Sequence, residues 1–325
     1  MFLAPDGDEI EVATSAAKLV SEAMPLARLR GAGASGGLRP ELRAEIAAMG
    51  WLGLVVPEAD GGSGLTAVEH VLFHREVGRV CGPVDVLAQT LAALTTDDRG
   101  LRGAFLAGEH GTALAVGDGS GLRLLGAEDT TFAVQVDRDE ARLLDLSGVA
   151  TRLRPSLDPA TVLRTVADGT PRVVAARAGS RVWSFGQLGV AAMQVGVAEA
   201  ALDLIVAYAK VRETFGKKIG SYQAVRHACA DMALRAEAAR CQLWSAAAAV
   251  KERRPDAAVH LDAAKHLANG ASVRNADADI QLHGGIGVTE EHDAHVLLKH
   301  ALVLERLFGS KRTLLARLLH AELEV

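Results

Sequence analysis

The sequence predicts a mainly α protein with a small β domain in its middle, on three observations. Hydrophobic residues make up 49% of the 325 positions and aromatic residues only 4%. Ala, Leu, Val and Gly dominate, which favours closely packed helices over a sandwich of aromatic-rich strands. Apolar residues recur at three and four towards both ends of the chain, and between those regions short apolar runs broken by Gly and Asp give a strand signal. The predicted order is an N-terminal helical domain over 1–109, a reduced β domain over 110–180 and a C-terminal four-helix bundle over 181–325. A chain of this length can hold two or three domains with a real core.

Residues 8–24 read as the first helix. The run "GAGASGG" (31–37) breaks the chain, and Pro40 suits the first turn of the next helix, "PELRAEIAAMG". "PEADGGSG" (57–64) reads as a turn-rich loop, and residues 66–81 and 84–96 carry helical periodicity on either side of Pro83. From Gly111, "TALAVGD", "LRLLG", "TFAVQVD" and "EARLLDL" read as strands, and "PRVVAARA" (171–178) closes this part. At about 70 residues it is small for an independent domain. Further on, Val225, Cys229, Met232, Ala236, Ala239, Leu243 and Ala247 form one continuous apolar stripe. Similar segments at 187–210, 256–281 and 290–323 complete four long helices, which suggests an antiparallel bundle.

The formal charge of −5 argues against a general nucleic-acid binder, which needs a basic face. Cys81, Cys229 and Cys241 fit neither a disulfide framework nor a zinc pattern, and a reducing compartment is the simple reading. The start, "MFLAPDGDEIEVA", has acids where a signal peptide needs basic residues and then an apolar run. "LGVAAMQVGVAEAALDLIVAYA" contains Glu199 and Asp203 and reads as a buried helix rather than a membrane span. The expectation is a cytoplasmic protein with neither a nucleic-acid nor a membrane partner.

Gly31, Gly33 and Gly36 match G-x-G-x-x-G, but "MPLARLR" precedes them where a dinucleotide fingerprint needs a strand, so a flexible linker is the better reading. His292, Asp293, His295 and His300 invite a metal, yet their spacing is not H-E-x-x-H and no further ligand cluster supports one. No nucleophile elbow or P-loop occurs. "RETFGKKIGSYQAVRHACADM" (212–232) is more informative. Arg212 can pair with a phosphate bidentately, Phe215 offers a flat apolar surface, and Gly216 and Gly220 permit a tight turn. An ordinary helix–loop–helix joint accounts for it equally well.

This stretch and "QLHGGIGVTEEHDAH" (281–295) together resemble the acyl-CoA dehydrogenase family. Residues 212–232 are similar to the family's Arg-x-x-Phe-Gly joint, followed by its Gln and its Ala-Asp-Met helix. Residues 281–295 are similar to its Gln-x-x-Gly-Gly-x-Gly motif. "MGWLGLVVPEADGGSGLTAVEHVLFHREVGRVCGPV" (49–84) is similar to the N-terminal helical domain. The resemblance implies FAD held between two chains, an acyl-CoA substrate and an electron-transfer acceptor. A carboxylate removes the α-proton of the thioester while the flavin takes a hydride from the β-carbon. It assigns Arg212, Phe215, Tyr222, Gln223, Gln281, Gly284 and Gly285 to the pyrophosphate and adenine side of that FAD. The family's Thr-Glu-Pro-x-x-Gly-Ser and Lys-x-Trp-Ile-Thr stretches, which lie against the flavin, have no counterpart between 109 and 180.

The family's commonest base is the Glu of a Tyr-Glu-Gly near the C-terminus, and the matching position is Phe308, followed by Gly309. Another family solution puts the Glu on the first bundle helix, and that position falls near Gly186. Glu305 is the nearest rival, but a helical turn moves a carboxylate by about 5 Å. Glu199 and Asp203, further along the first bundle helix, are expected to face solvent or a partner. The resemblance therefore implies no catalytic residue and no metal in this chain. It implies instead the non-catalytic subunit of an α2β2 acyl-CoA dehydrogenase, of the branch acting on steroid side-chain CoA thioesters. A self-sufficient enzyme with a displaced base, or a flavin-free scaffold, are the alternatives.

Overall fold

The computed structural model describes residues 5–31, 36–117 and 121–321. Five helices come first: α1 (Gly7–Ala23), α2 (Pro40–Ala48), α3 (Ala67–Arg79), α4 (Asp85–Thr95) and α5 (Arg99–Leu106). Local chemistry sets their starts. Asp6 with Glu9, and Thr66 with Glu69, form reciprocal capping boxes on α1 and α3. Pro40 opens α2, and the Asp98 carboxylate accepts from the Leu101 N–H at the start of α5. Of the Gly-rich run, residues 32–35, and with them Gly33, lie outside the described residues. A 3-10 turn, Leu26–Leu29, precedes the run where a dinucleotide fold would place a strand.

Seven strands follow: β1 (Thr112–Gly117), β2 (Leu122–Leu125), β3 (Phe132–Val136), β4 (Glu140–Asp145), β5 (Ala150–Arg154), β6 (Leu163–Asp168) and β7 (Arg172–Ala178). They make one sheet in the order β5-β6-β2-β1-β3-β4-β7, with β1 and β3 parallel and the other neighbours antiparallel. β5 and β6 are additional to the strands read from sequence. β5 is a largely exposed edge strand, so its residues carry no apolar alternation to read. The strand period of two splits the sheet's side chains. Ala113, Ala115, Leu124, Ala133 and Leu144 form a small core on one face, while Leu114, Leu125, Val134 and Leu143 join the main core on the other.

The bundle comprises α6 (Gly179–Val211), α7 (Gln223–Lys251), α8 (Ala257–His283), α9 (Ala294–Leu304) and α10 (Lys311–Leu319). α6 is long and apolar enough to cross a membrane, yet it is a core helix: Val190, Met193, Val197 and Ile205 are fully buried. It touches α3 backbone to backbone. A Cβ on Gly78 would lie 2.0 Å from the Met193 carbonyl oxygen, and one on Gly196 would lie 2.0 Å from that of Arg75. The predicted α7 stripe is buried from Met232 to Ala247, while Val225 and Cys229 are half-buried.

Two expectations need correction. The single helix expected over 290–323 is two, because Phe308 (φ +54) and Gly309 (φ +125) leave the right-handed region. Ser310 then caps α10 by accepting from the Thr313 N–H. Glu199 does not face solvent. It is buried between α6 and α3, where Arg75 Nε donates to its Oε2 at 2.7 Å and Arg79 Nη1 at 3.2 Å. Asp203, one turn on, is exposed and also pairs with Arg79.

Candidate active site

The seven residues assigned to the cofactor's phosphate side gather at one end of the bundle. Arg212 ends α6, is exposed, and has no ion-pair partner among the described residues. A hairpin of β8 (Glu213–Thr214) and β9 (Lys217–Lys218) follows, turning through Phe215 (φ +49) and Gly216 (φ +77). Phe215 at its tip is 98% exposed. Tyr222 braces the hairpin: its hydroxyl donates to the Thr214 carbonyl at 2.9 Å, and the Lys217 ammonium stands 4.3 Å from its ring centroid. Gln223, exposed, opens α7, and Gln281, exposed, lies in the last turn of α8.

Gly284 ends α8 with φ +70, and Gly285 follows; a Cβ on either would meet nothing within 4 Å. Asn275 Nδ2 donates to the Met232 carbonyl at 2.9 Å, linking the antiparallel α7 and α8. Counting the same distance from each (232 − 223 and 284 − 275) puts Gln223 level with Gly284. The ring of Tyr208, near the end of α6, lies 4.4 Å from that of His283, which completes the cluster. An exposed guanidinium near a Gly-Gly turn with open space above it suits a pyrophosphate. These residues fit that half of a flavin dinucleotide.

The two positions at which the family resemblance would put an acid are in contact. A Cβ on Gly186 would lie 2.2 Å from Cε1 and 2.3 Å from Cζ of the Phe308 ring. Phe308 is buried, and Trp183 meets it edge-on at 5.2 Å between ring centroids. Gln187 Nε2 donates to the Phe308 carbonyl at 3.2 Å and to Asp262 Oδ1 at 2.9 Å. Asp262 is held in turn by Arg138, from the β3–β4 turn, and by Arg317 of α10. The ring thus sits in a braced turn that joins sheet and bundle. It borders a cleft of about 320 Å³ lined by Leu114, Val116, Gln135, Asp137 and Trp183. Asp137 is the acid among those residues, and its Oδ1 is committed to the Asp139 and Glu140 N–H groups of its own turn. Glu305 lines a different cavity, bounded by α7 and α8.

A further cleft, of about 520 Å³, was not read from the sequence. Arg181, Lys251, Arg253 and Arg254 surround it, with Ser184 and Phe185 on its α6 side. Lys251 pairs with Glu9 and Arg254 with Asp256. Burial, and then Arg177 and Arg253, lower the pKa of Arg181. The basic run "KERRP" was visible, but nothing in the sequence places Arg181 opposite it.

His300 and His292 have partners within the chain, whereas both ring nitrogens of His295 are buried without a hydrogen-bond partner. His300 Nδ1 lies 2.7 Å from buried Asp158, and Asp293 takes both Nε and Nη2 of Arg30 at 2.6 Å. His292 Nδ1 accepts from the Ala294 N–H.

A helical N-terminal part, a central sheet and an antiparallel bundle with a hairpin and a Gly-Gly turn at one end define the class: the chain belongs to the acyl-CoA dehydrogenase family. The family models for the N-terminal and the C-terminal domain of acyl-CoA dehydrogenase match residues 7–97 and 180–322. Acyl-CoA dehydrogenase IpdE2 of Mycobacterium tuberculosis is 33% identical over 279 residues, covering 83% of this chain and 82% of IpdE2. Acyl-CoA dehydrogenase FadE34 of the same organism is 34% identical over 281 residues, 79% of this chain, and the match spans 38% of FadE34's length. Among solved structures, a variant of the Tcur3481–Tcur3483 steroid ACAD has a TM-score of 0.79 at 24% identity, covering 96% of each chain. The ChsE4–ChsE5 complex from Mycobacterium tuberculosis has a TM-score of 0.81 at 21% identity, covering 99% of this chain and 100% of that one. These structural likenesses speak for the fold.

Proposed function

We propose that this chain is the base-lacking subunit of a hetero-oligomeric, FAD-dependent acyl-CoA dehydrogenase that works as an α2β2 assembly in the cytoplasm. The observation that carries the reading is Phe308 packed on Gly186, which leaves an apolar ring where a carboxylate is needed. Bound FAD would accept the hydride lost from the β-carbon of the thioester. In this chain Arg212, Gln281 and the Gly284–Gly285 turn hold the pyrophosphate and adenine side, with Phe215, Tyr222 and Gln223 beside them. Phe308 accepts no proton and keeps water and thioester out of the space it fills, so the α-proton goes to a carboxylate of the homologous partner. An electron-transfer acceptor would be needed to reoxidise the assembly after each turnover.

The fold is shared with a two-chain steroid ACAD, Tcur3481–Tcur3483, and with the ChsE4–ChsE5 complex, which supports a partner chain here and favours a steroid side-chain thioester as substrate. The cationic cleft favours an additional contribution. Arg181 and Arg253, which have no ion-pair partner among the described residues, suit the phosphates of CoA, so this chain contributes to gripping the substrate's nucleotide end even though it lacks the base. Arg212→Ala should lower the flavin content of the purified assembly while leaving its composition unchanged. Full flavin occupancy at normal affinity in that variant counts against the assignment.

A further inference from the structure

We propose that the cavity between α7, α8 and the α9–α10 turn binds an amphiphilic carboxylate: a singly charged head on a short aliphatic body. The cavity measures about 390 Å³, within the range of small-molecule sites. It is separate from the cleft that Phe308 borders, since Glu305 lines this cavity and Phe308 the other.

The lining has two kinds of wall. Leu234, Ala238, Leu267 and Val273 are apolar, and Leu234 and Leu267 are exposed. Arg235, Arg274 and Lys311 are cationic. Arg274 and Lys311 have no ion-pair partner among the described residues. Arg235 donates from Nε to Asn275 Oδ1 at 2.9 Å, which leaves its terminal nitrogens available.

An independent observation comes from Asn269, which lines the same cavity and is only 4% exposed. Its Oδ1 accepts from Gln194 Nε2 at 2.7 Å and from the buried Lys265 ammonium. The Lys265 bond fixes which end of the amide is oxygen, because an ammonium only donates, and the Gln194 bond follows from that assignment. Nδ2 remains a buried donor without an acceptor, and Nδ1 of His266 beside it likewise lacks a partner. Buried polar groups are nearly always satisfied, and a carboxylate oxygen in the cavity would satisfy the amide. Burial, then Lys311 and Arg274, lower the pKa of His266, so it stays neutral near pH 7 and adds no charge.

The head group's charge follows from the lining. Three cations face one acid, Glu305, so an anion is favoured. Glu305 in the same wall disfavours a dianionic phosphate, whereas a planar carboxylate matches a guanidinium fork. The apolar wall then takes the aliphatic body.

The test is calorimetric titration of the full-length chain with sodium octanoate, octan-1-ol and inorganic phosphate. Octanoate should bind saturably at one site, and the alcohol and phosphate about tenfold more weakly or worse. Replacing both exposed cations, Arg274→Ala with Lys311→Ala, should weaken octanoate by about tenfold or more, with the unfolding midpoint unchanged. Non-saturable octanoate binding, equal binding of the alcohol, or unchanged affinity in the double variant overturns the proposal. So does a wild-type chain that ignores octanoate while the double variant loses its partner chain, since the cavity then receives a partner's carboxylate side chain.

Discussion

Adding a single methyl group at Gly186 should reveal how tightly the Phe308 ring fills the acid's place. The new Cβ would stand 2.2, 2.3 and 3.0 Å from three ring carbons, where carbon atoms normally approach no closer than about 3.5 Å. The ring has little room to retreat. Trp183 backs it at 5.2 Å, its carbonyl is held by Gln187 at 3.2 Å, and its own backbone is left-handed at φ +54. Overpacking of this kind costs about 1–3 kcal/mol. A Gly→Ala change inside a helix otherwise gains roughly 1 kcal/mol. Gly186→Ala should therefore gain nothing from propensity and destabilise the chain by up to about 2 kcal/mol. Phe308→Ala alone should cost about 3–4 kcal/mol. Once the ring is gone, Gly186→Ala should stabilise by roughly 1 kcal/mol, giving a coupling of about 1–3 kcal/mol. Urea unfolding of the four proteins, with m-values checked for constancy, measures the cycle. Additive changes, or a stabilising Gly186→Ala in the wild type, would show that the ring does not occupy that space.

Three further outcomes follow. His74 is fully buried on α3, and burial lowers its pKa to about 4; His70, one turn away, is lowered in the same direction. Below pH 6.5 the unfolded chain takes up protons that the folded chain refuses, so stability falls as pH drops towards 4. Asp85, raised by burial to about 6, opposes this by gaining stability over part of that range, but two histidines outweigh it. At pH 5 His74 alone accounts for roughly 2 kcal/mol, and His74→Gln should shrink the loss between pH 7 and pH 5 by about that much; an unaltered pH profile would refute it. Glu199→Ala should cost about 3 kcal/mol because it strands guanidiniums in a largely buried network, while exposed Asp203→Ala should cost under about 1 kcal/mol; equal losses would sink the distinction. Glu305→Gln should leave turnover of the assembled complex nearly intact, whereas a collapse by orders of magnitude in flavin-replete protein would reveal a displaced base.

The helices were legible because their chemistry is local. Asp6 and Glu9, Thr66 and Glu69, and Pro40 mark starts, and the Met232–Ala247 stripe marks a buried face. β5 was not legible, because an exposed edge strand has no side to hide from water. The break at Phe308 was hidden for a different reason. A phenylalanine at positive φ is held by its surroundings, here Gln187, Trp183 and Gly186, and those contacts lie more than a hundred residues away in sequence. The same limit applied to Glu199, whose partners sit on α3, and to the cationic cleft, whose Arg181 faces a basic run at the far end of α7. The motif residues Arg212, Gln281 and Gly284 could be singled out through the family resemblance, but their gathering at one bundle end is a property of helix length and antiparallel packing.

The most direct measurement is flavin stoichiometry together with acyl-CoA-dependent flavin reduction, made on the chain alone and on the chain co-purified with the homologous product of a neighbouring reading frame. The chain alone should be colourless and inactive, and the assembly yellow and active, with a flavin content that falls with Arg212→Ala in this chain. A chain that purifies alone with one FAD per polypeptide, and reduces it on addition of an acyl-CoA, would instead be a self-sufficient dehydrogenase.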